Sequence, residues 1–306
     1  MKVLANDGVS QSGIDALTNA GIEVITTKVA QEQLENYINE NNISVLLVRS
    51  ATTARKALID ACPGLKIIGR GGVGMDNIDV TYAREKGLSV INTPAASSSS
   101  VAELVFAHLF GGVRYLYDSN RNMPLDGDTR FKDLKKNYAK GSELRGKTIG
   151  IIGFGRIGRE VAKIALGCGM KVIASDNYVD KANITLDFFD GQKVTLEVKT
   201  KPIDELIQQS DFITLHVPAQ KQYVIGKGQI AKMKDGVMIA NAARGGVIDE
   251  DALIANLNSG KVAAAALDVF VNEPTPREDL MKHPKLSLTP HTGAATLEAQ
   301  DRIGEE

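Results

Sequence analysis

Short apolar runs alternate with polar segments of helical period along almost the whole chain. In the first ninety residues KVLAN, GIEVIT, SVLLVRS, LKIIGR and LSVINT predict strands. The segments near 10–20, 30–41, 55–61 and 78–86 predict helices between them. A second series starts near residue 147, with strands in KTIGIIG, KVIASD, DFITLHV, GVMIANAA, KVAAAALDV and KLSLTPH and helices near 156–167, 202–209, 227–233 and 249–258. Strands that are apolar on both faces and separated by helices belong to parallel sheets covered on both sides. The pattern therefore predicts an α/β protein with two doubly wound parallel-sheet domains.

The serine-rich TPAASSSS marks the boundary. It predicts one domain over 1–97 and another over 98–290, with 291–306 crossing back to the first, so that the second is inserted in the first. The apolar VAELVFAHLFGGVRYLY (101–117) reads as a long buried helix opened by a Ser100–Glu103 capping box. It carries Glu103 and Arg114 and is shorter than the ~20 residues a membrane span needs. One segment breaks the rule. ITLDFFDGQKVTLEV alternates apolar and polar residues on both sides of Asp190-Gly191, which predicts an antiparallel hairpin beside the parallel sheet.

Composition narrows the function classes. The 306 residues hold 36 Lys+Arg and 37 Asp+Glu, a formal net charge of -1, which argues against nucleic acid or an anionic membrane as partner. Cys62 and Cys168 have no metal-type spacing and read as thiols in a reducing compartment; no metal site is expected. MKVLANDGVS lacks the apolar stretch of a signal peptide, so a cytoplasmic protein is expected.

The clearest chemical signal is KTIGIIGFGRIGREVAKIALGCGMKVIASD. Gly153, Gly155 and Gly158 form G-x-G-x-x-G between an apolar strand and an amphipathic helix, the Rossmann dinucleotide fingerprint. The first glycine permits the tight turn, the second lets the backbone approach a pyrophosphate, and the third lets helix and strand pack closely. The helix N-terminus offers free N–H groups to the anion. Asp176 ends the next strand, where a carboxylate meets ribose hydroxyls and repels a 2′-phosphate. NAD is the expected cofactor.

Charged residues also sit among small apolar ones at three strand ends: Arg244 after MIANAA, Asp268 and Glu273 after VAAAAL, and His291 after LSLTP. Ligands of open parallel sheets bind outside these carboxyl ends. An imidazole can take a hydroxyl proton near neutral pH, a carboxylate can fix its tautomer, and a guanidinium can hold an α-carboxylate at two points. That set suits hydride transfer from a 2-hydroxy acid. Of the other histidines, His108 reads as helix packing, His283 lies in a polar loop, and His216 ends a strand at the cofactor edge.

GFGRIGRE, NAARGGVIDEDAL, AAALDVFVNEP and PHTGAATLEAQ, in that order, resemble the D-isomer-specific 2-hydroxy acid dehydrogenases over nearly the whole chain. VRSATTARKALIDACPGLKIIGRGGVGMDNIDV is most similar to the branch that oxidises D-3-phosphoglycerate in serine synthesis, and a short form without a regulatory domain is the expectation. The resemblance implies His291 as acid/base, Glu273 as its partner and Arg244 as substrate anchor. It implies that Arg156 and Ile157 touch the pyrophosphate, Asp176 the ribose and Asp268 the carboxamide. Val73, Val217, Ala242, Ala243, Gly293 and Ala294 would line the cofactor site, and Arg49 with the Gly71-Gly72-Val73 backbone would take the substrate's anionic groups. A homodimer joined through the nucleotide-binding domain is implied as well. A glyoxylate/hydroxypyruvate reductase, or an NAD-sensing corepressor-like protein that keeps the trio, remains open on the same motifs.

Overall fold

A computed structural model describes all 306 residues. The chain forms two compact units, Met1–Ser100 with Ala294–Glu306, and Val101–Gly293.

The first unit runs β1 (Lys2–Ala5), α1 (Gln11–Asn19), β2 (Glu23–Ile25), a turn of 3-10 helix, α2 (Leu34–Glu40), β3 (Val45–Val48), α3 (Lys56–Ala61), β4 (Ile67–Arg70), α4 (Val80–Glu85) and β5 (Ser89–Asn92). Its five strands are all parallel in the order β2-β1-β3-β4-β5. Leu4, Leu46 and Ile68 are fully buried at the sheet centre, beneath Leu34, Ile38 and Leu58 from the helices. The short strands are apolar on both faces because helices cover both, as their sequence implies.

α5 (Ser98–Val113) leads into the second unit, followed by α6 (Leu116–Asp126), α7 (Phe131–Asn137), β6 (Thr148–Ile152), α8 (Arg156–Gly167), β7 (Lys171–Ser175), β8 (Lys181–Asp187), β9 (Lys193–Lys199), α9 (Ile203–Gln209), β10 (Phe212–Leu215), α10 (Lys227–Lys232), β11 (Val237–Asn241), α11 (Glu250–Ser259), β12 (Val262–Leu267), α12 (Glu278–Met281) and β13 (Leu286–Leu288). Six parallel strands take the order β13-β12-β11-β10-β6-β7. Strand order reverses between β6 and β10, and such switch points open the crevice in which open α/β sheets bind ligands. α8 shows why the sequence folds this way: Gly158, Val161, Ala162 and Ala165 are buried at helical spacing. Burying Val161 alone is worth about 1.5–3 kcal/mol.

β8 and β9 form the expected antiparallel hairpin, with Ile184 opposite Leu196 and Ala182 opposite Val198. Ala182, Ile184 and Val198 join the α5–α8 core. Beyond the base, Thr200 bridges to Ala174 of β7, so the hairpin is rooted at the sheet edge.

The helix expected over 101–117 differs. It begins at Ser98 and ends at Val113, and α6 starts anew after Tyr115, whose backbone is left-handed (φ 53°). Ser100 lies inside the helix instead of capping it and hydrogen-bonds the Thr296 hydroxyl at 2.9 Å. α13 (Leu297–Glu305), capped by Thr296, packs on α1 where Gly13 and Gly304 leave no room for a side chain: a Cβ on Gly13 would meet the Gly304 Cα at 2.9 Å. No helix is long and apolar enough to cross a membrane.

Against the expected crossings at 97/98 and 290/291, each passage between units falls three residues later. His291 therefore belongs to the second unit with Glu273 and Arg244. The reason is local: the backbone N–H groups of Thr292 and Gly293 both donate to the buried Asp268 carboxylate, which ties the turn to β12.

Candidate active site

The turn between β6 and α8 has the build of an anion cradle. Gly153 has φ +91°, and a Cβ there would meet the His216 carbonyl oxygen at 2.3 Å. A Cβ on Gly158 would meet the Gly153 oxygen at 2.2 Å, so helix and turn touch backbone to backbone. Gly155 differs from both: nothing lies within 4 Å of where its Cβ would be. Its missing side chain faces open space at the first turn of α8, whose amides at Arg156 and Ile157 lack intrahelical partners. This donor set fits a dinucleotide pyrophosphate.

Asp176, just past β7, accepts hydrogen bonds from the N–H groups of Phe154 (2.6 Å), Tyr178 (2.8 Å) and Val179 (3.1 Å). A carboxylate offers about four acceptor sites, so one remains beyond these three protein donors. Asp176 thus both shapes the glycine turn and presents negative charge beside it. Val217 borders the same turn, its Cγ1 3.0 Å from the position of a Gly153 Cβ.

The second group of residues gathers where β11, β12 and β13 end. Asn241 organises the NAARGG turn: its side-chain oxygen accepts from the Ala243 N–H and its amide donates to the Arg244 carbonyl. Arg244 Nη1 donates to the Ala243 carbonyl at 2.6 Å. Gly245 packs so tightly on the next turn that a Cβ would meet the Phe270 oxygen at 1.9 Å. In that neighbouring turn Glu273 Oε1 accepts the Phe270 N–H at 2.9 Å, leaving Oε2 for His291 Nδ1 at 2.7 Å. The structure thus brings His291 and Glu273 together as expected. A carboxylate only accepts, so Nδ1 carries a hydrogen, and in the neutral ring the lone pair lies on Nε2. His291 is held in left-handed backbone (φ 55°), uncommon outside glycine, at the point where the chain turns from β13. An apolar cavity of about 500 Å³, lined by Phe270, Pro274, Met281, Leu288 and Pro290, flanks the pair.

Asp268 is 2% exposed and anchors the His291 turn on both sides. It accepts from the Thr289 hydroxyl (2.6 Å), the Thr292 N–H (2.8 Å) and the Gly293 N–H (2.9 Å). A Cβ on Gly293 would press on Asp268 Oδ2 at 3.0 Å. Thr289 and His108 of α5 were not expected to matter here. His108 bridges Ser287 and Thr289, and burial lowers its basicity. His216, facing the glycine turn through its backbone, has a side chain whose Nδ1 is sealed without a partner; burial drops its pKa to about 3.

In the first unit, Arg49 follows β3, and its backbone N–H donates to Asp7, which also takes the Thr52 N–H and hydroxyl. Asn77 donates to the Arg49 and Thr52 carbonyls, fixing the same loop. Gly71-Gly72-Val73 follow the neighbouring strand β4. The Gly72 N–H donates to Thr93, and the Val73 carbonyl accepts from Asn92. Arg70, a residue the motifs did not single out, braces this turn through the Gly71 and Gly74 carbonyls and the Ser50 hydroxyl. Its signal in the sequence is only its place before Gly-Gly at a strand end. Ala294 opens the return segment and accepts from Gln300.

Comparison with known proteins agrees with this geometry. Residues 106–293 match the family model described as D-isomer specific 2-hydroxyacid dehydrogenase, NAD binding domain. Hydroxypyruvate reductase of Thermotoga maritima is 43% identical over 311 residues, covering 100% of this chain and 95% of that protein. D-3-phosphoglycerate dehydrogenase of Archaeoglobus fulgidus is 41% identical over 308 residues, and there the match covers 99% of this chain but 55% of the relative, so the chain spans about half of that protein. Among solved structures, a glyoxylate reductase from Paecilomyes thermophila superposes with a TM-score of 0.80 at 31% identity, covering 99% of this chain and 91% of that one. D-lactate dehydrogenase from Aquifex aeolicus, complexed with NAD and lactic acid, gives 0.74 at 29% identity over 100% and 92%. A nucleotide turn, an imidazole–carboxylate pair and a matching chain-long similarity converge on one conclusion: this chain is an NAD-binding oxidoreductase and belongs to the D-isomer specific 2-hydroxyacid dehydrogenases.

Proposed function

We propose that the protein interconverts D-3-phosphoglycerate and 3-phosphohydroxypyruvate with NAD, the entry reaction of serine synthesis. The observation that carries the acid–base part is the 2.7 Å contact between His291 Nδ1 and Glu273, which leaves Nε2 as the proton acceptor. Glycines 153, 155 and 158 with the amides of Arg156 and Ile157 would hold the pyrophosphate, and Asp176 the ribose, favouring NAD over NADP. Asp268 retains one acceptor site for the carboxamide beyond its three protein donors. Val217, Ala242, Ala243 and Gly293 of the second unit would complete the cofactor's surroundings there. When bound, NAD would supply the acceptor for the hydride leaving C2 of the substrate. His291 takes the C2 hydroxyl proton, and Glu273 stabilises the imidazolium that forms. Arg244 orients the α-carboxylate. Catalysis by such a group is typically worth about 10²–10⁴ in rate.

The phosphate reading rests on the first unit. Arg49 follows β3, Arg70 ends its parallel neighbour β4, and the Gly71–Val73 backbone lies in the turn that Arg70 braces. The Arg49 side chain runs beside that turn, its Cγ 3.5 Å from where a Gly71 Cβ would be, and a guanidinium there suits the phosphate end of the substrate. The second reading, reduction of unphosphorylated hydroxypyruvate, is favoured by the relative of that name that this chain covers over 95% of its length. Steady-state kinetics in both directions separate them. For a phosphorylated substrate, Arg49→Ala should raise KM by about 10- to 10²-fold, the value of a charge-assisted pair. Equal efficiency with hydroxypyruvate before and after that substitution, and no turnover of 3-phosphoglycerate, would replace the first reading by the second.

The exposed Phe110, Leu116, Leu125 and Phe131 on α5 to α7 support a homodimer formed through the second unit. Sedimentation at micromolar concentration tests it: a particle of one chain's mass, 32.8 kDa, would exclude the dimer.

A further inference from the structure

His108 sits on α5, far in sequence from the residues that the chemistry uses, and is 7% exposed. Its ring nevertheless makes two hydrogen bonds to the β13 end: Nδ1 to the Ser287 hydroxyl at 2.8 Å and Nε2 to the Thr289 hydroxyl at 3.1 Å. The direction of each bond follows from proton counting. Asp268 is an acceptor only, so Thr289 spends its single proton on Asp268 Oδ1 at 2.6 Å. The Thr289 oxygen can then only accept from His108, which places the hydrogen on Nε2. Burial disfavours a second ring proton, so Nδ1 accepts from Ser287. The result is a relay with one polarity: Ser287 hydroxyl to His108, His108 to Thr289, Thr289 to Asp268.

We propose that His108 is a positioning residue for the catalytic imidazole, acting through Thr289 and Asp268 on the turn that carries His291. Thr289 lies two residues before His291, and the Thr292 and Gly293 amides that Asp268 also holds lie one and two residues after it. Asp268 thus clamps the turn from both sides, and His108 leaves the Thr289 hydroxyl no alternative direction. The strained backbone at His291 (φ 55°) is the element that such a clamp must hold in place. The apolar Leu109 and Phe106 beside His108 are fully packed, so the ring occupies a core position that a leucine would fill more cheaply if packing were its whole role.

The proposal rests on the reading of His291 as acid/base, and two independent measurements test it. The first needs no activity. Long-range proton–nitrogen correlation spectra of the intact protein, with the His108 signals assigned through their loss in His108→Gln, should show a neutral Nε2–H ring at pH 7. A Nδ1–H or doubly protonated ring would overturn the relay.

The second is kinetic, in the NADH-linked assay with hydroxypyruvate and with 3-phosphoglycerate. His108→Leu and Thr289→Val should each lower kcat by about tenfold while KM for the cofactor changes less than about twofold, and the double variant should be no slower than the worse single one. His108→Gln, which keeps an N–H toward Thr289, should recover most of the rate. Unchanged kcat in the single variants, or losses that multiply in the double one, would refute the positioning role. His291→Ala in the same assay isolates the underlying reading: if that variant keeps its turnover, the acid/base assignment fails while the spectra still decide the relay.

Discussion

Gly245→Ala is a one-methyl perturbation that separates the two loops of the site. In the native backbone the new Cβ would stand 1.9 Å from the Phe270 oxygen, 2.3 Å from its carbonyl carbon and 2.8 Å from the Val271 nitrogen. Real Cβ contacts essentially never fall under 3.0 Å, so the Arg244-bearing turn must retreat from the Glu273-bearing turn by at least about 1 Å. All three obstructing atoms are backbone, and no side chain can rotate out of the way. A misplacement of about 1 Å in a catalytic constellation can cost roughly 10² in rate. kcat/KM with the 2-oxo acid should therefore fall by about that factor, while NADH binding, read by fluorescence, should weaken less than about tenfold, because the glycine turn at 153–158 is untouched. Gly246→Ala is the control. Its Cβ would meet nothing within 4 Å, but φ is +79°, so that variant should lose about 1 kcal/mol of stability and little of its rate. A Gly245→Ala protein within threefold of wild-type kcat/KM would show that the Arg244 and Glu273 turns need not keep this spacing.

Three further outcomes follow from the structure. Asp176→Asn keeps an acceptor for the Phe154 N–H but removes the charge, so the ratio of NADP to NAD efficiency should rise by about 10-fold or more; an unchanged ratio would mean that the carboxylate does not select the cofactor. His216 is buried neutral with a pKa of about 3, below its ordinary 6.5, so the unfolded chain binds the extra proton first and stability should drop as pH falls from 6.5 toward 3, by up to about 1.4 kcal/mol per pH unit from this ring. Denaturant titrations of His216→Asn should show a shallower acid slope, and an identical slope would remove His216 as its source. In the hairpin, Ile184→Ala empties a site that is 1% exposed and should cost about 2–4 kcal/mol, whereas Phe189→Ser at the fully exposed tip should leave the melting temperature within about 1 °C; equal effects would mean that the hairpin does not share the α8 core.

The pattern of apolar runs foretold every strand of both parallel sheets, because a strand covered on both faces cannot disguise its composition. KTIGIIG and KVIASD became neighbouring strands β6 and β7, and DFITLHV became β10 on the other side of β6. The hairpin was legible for the opposite reason: a two-stranded ribbon with one covered face must alternate, and Leu186 opposite Val194 continues the apolar face that Ala182 and Val198 begin. The helices around 114–137 were less visible. α6 and α7 bury only Leu134 between them, so their residues carry little periodic signal, and α6 even tolerates Pro124. The break before α6 rests on the left-handed Tyr115, which no local residue preference announces.

Site residues divide along the same line. Gly153, Gly155, Gly158, Asp176, Arg244, Glu273 and His291 could be named as candidates because chemistry at strand ends imposes residue type and spacing on a continuous stretch of chain. His108 was not, since an imidazole in the middle of an apolar helix reads as packing until its partners are known, and Ser287 and Thr289 lie 179 and 181 residues away. A buried histidine acquires meaning from the acceptors and donors that the fold brings to it, and only the count of protons on Thr289 and Asp268 turns that contact into a direction. The same holds for Asp268. Its position after VAAAAL makes it a candidate, but its grip on Thr289, Thr292 and Gly293 ties down the turn that carries His291, and that follows from β12 and β13 being parallel neighbours with Leu267 beside Leu288.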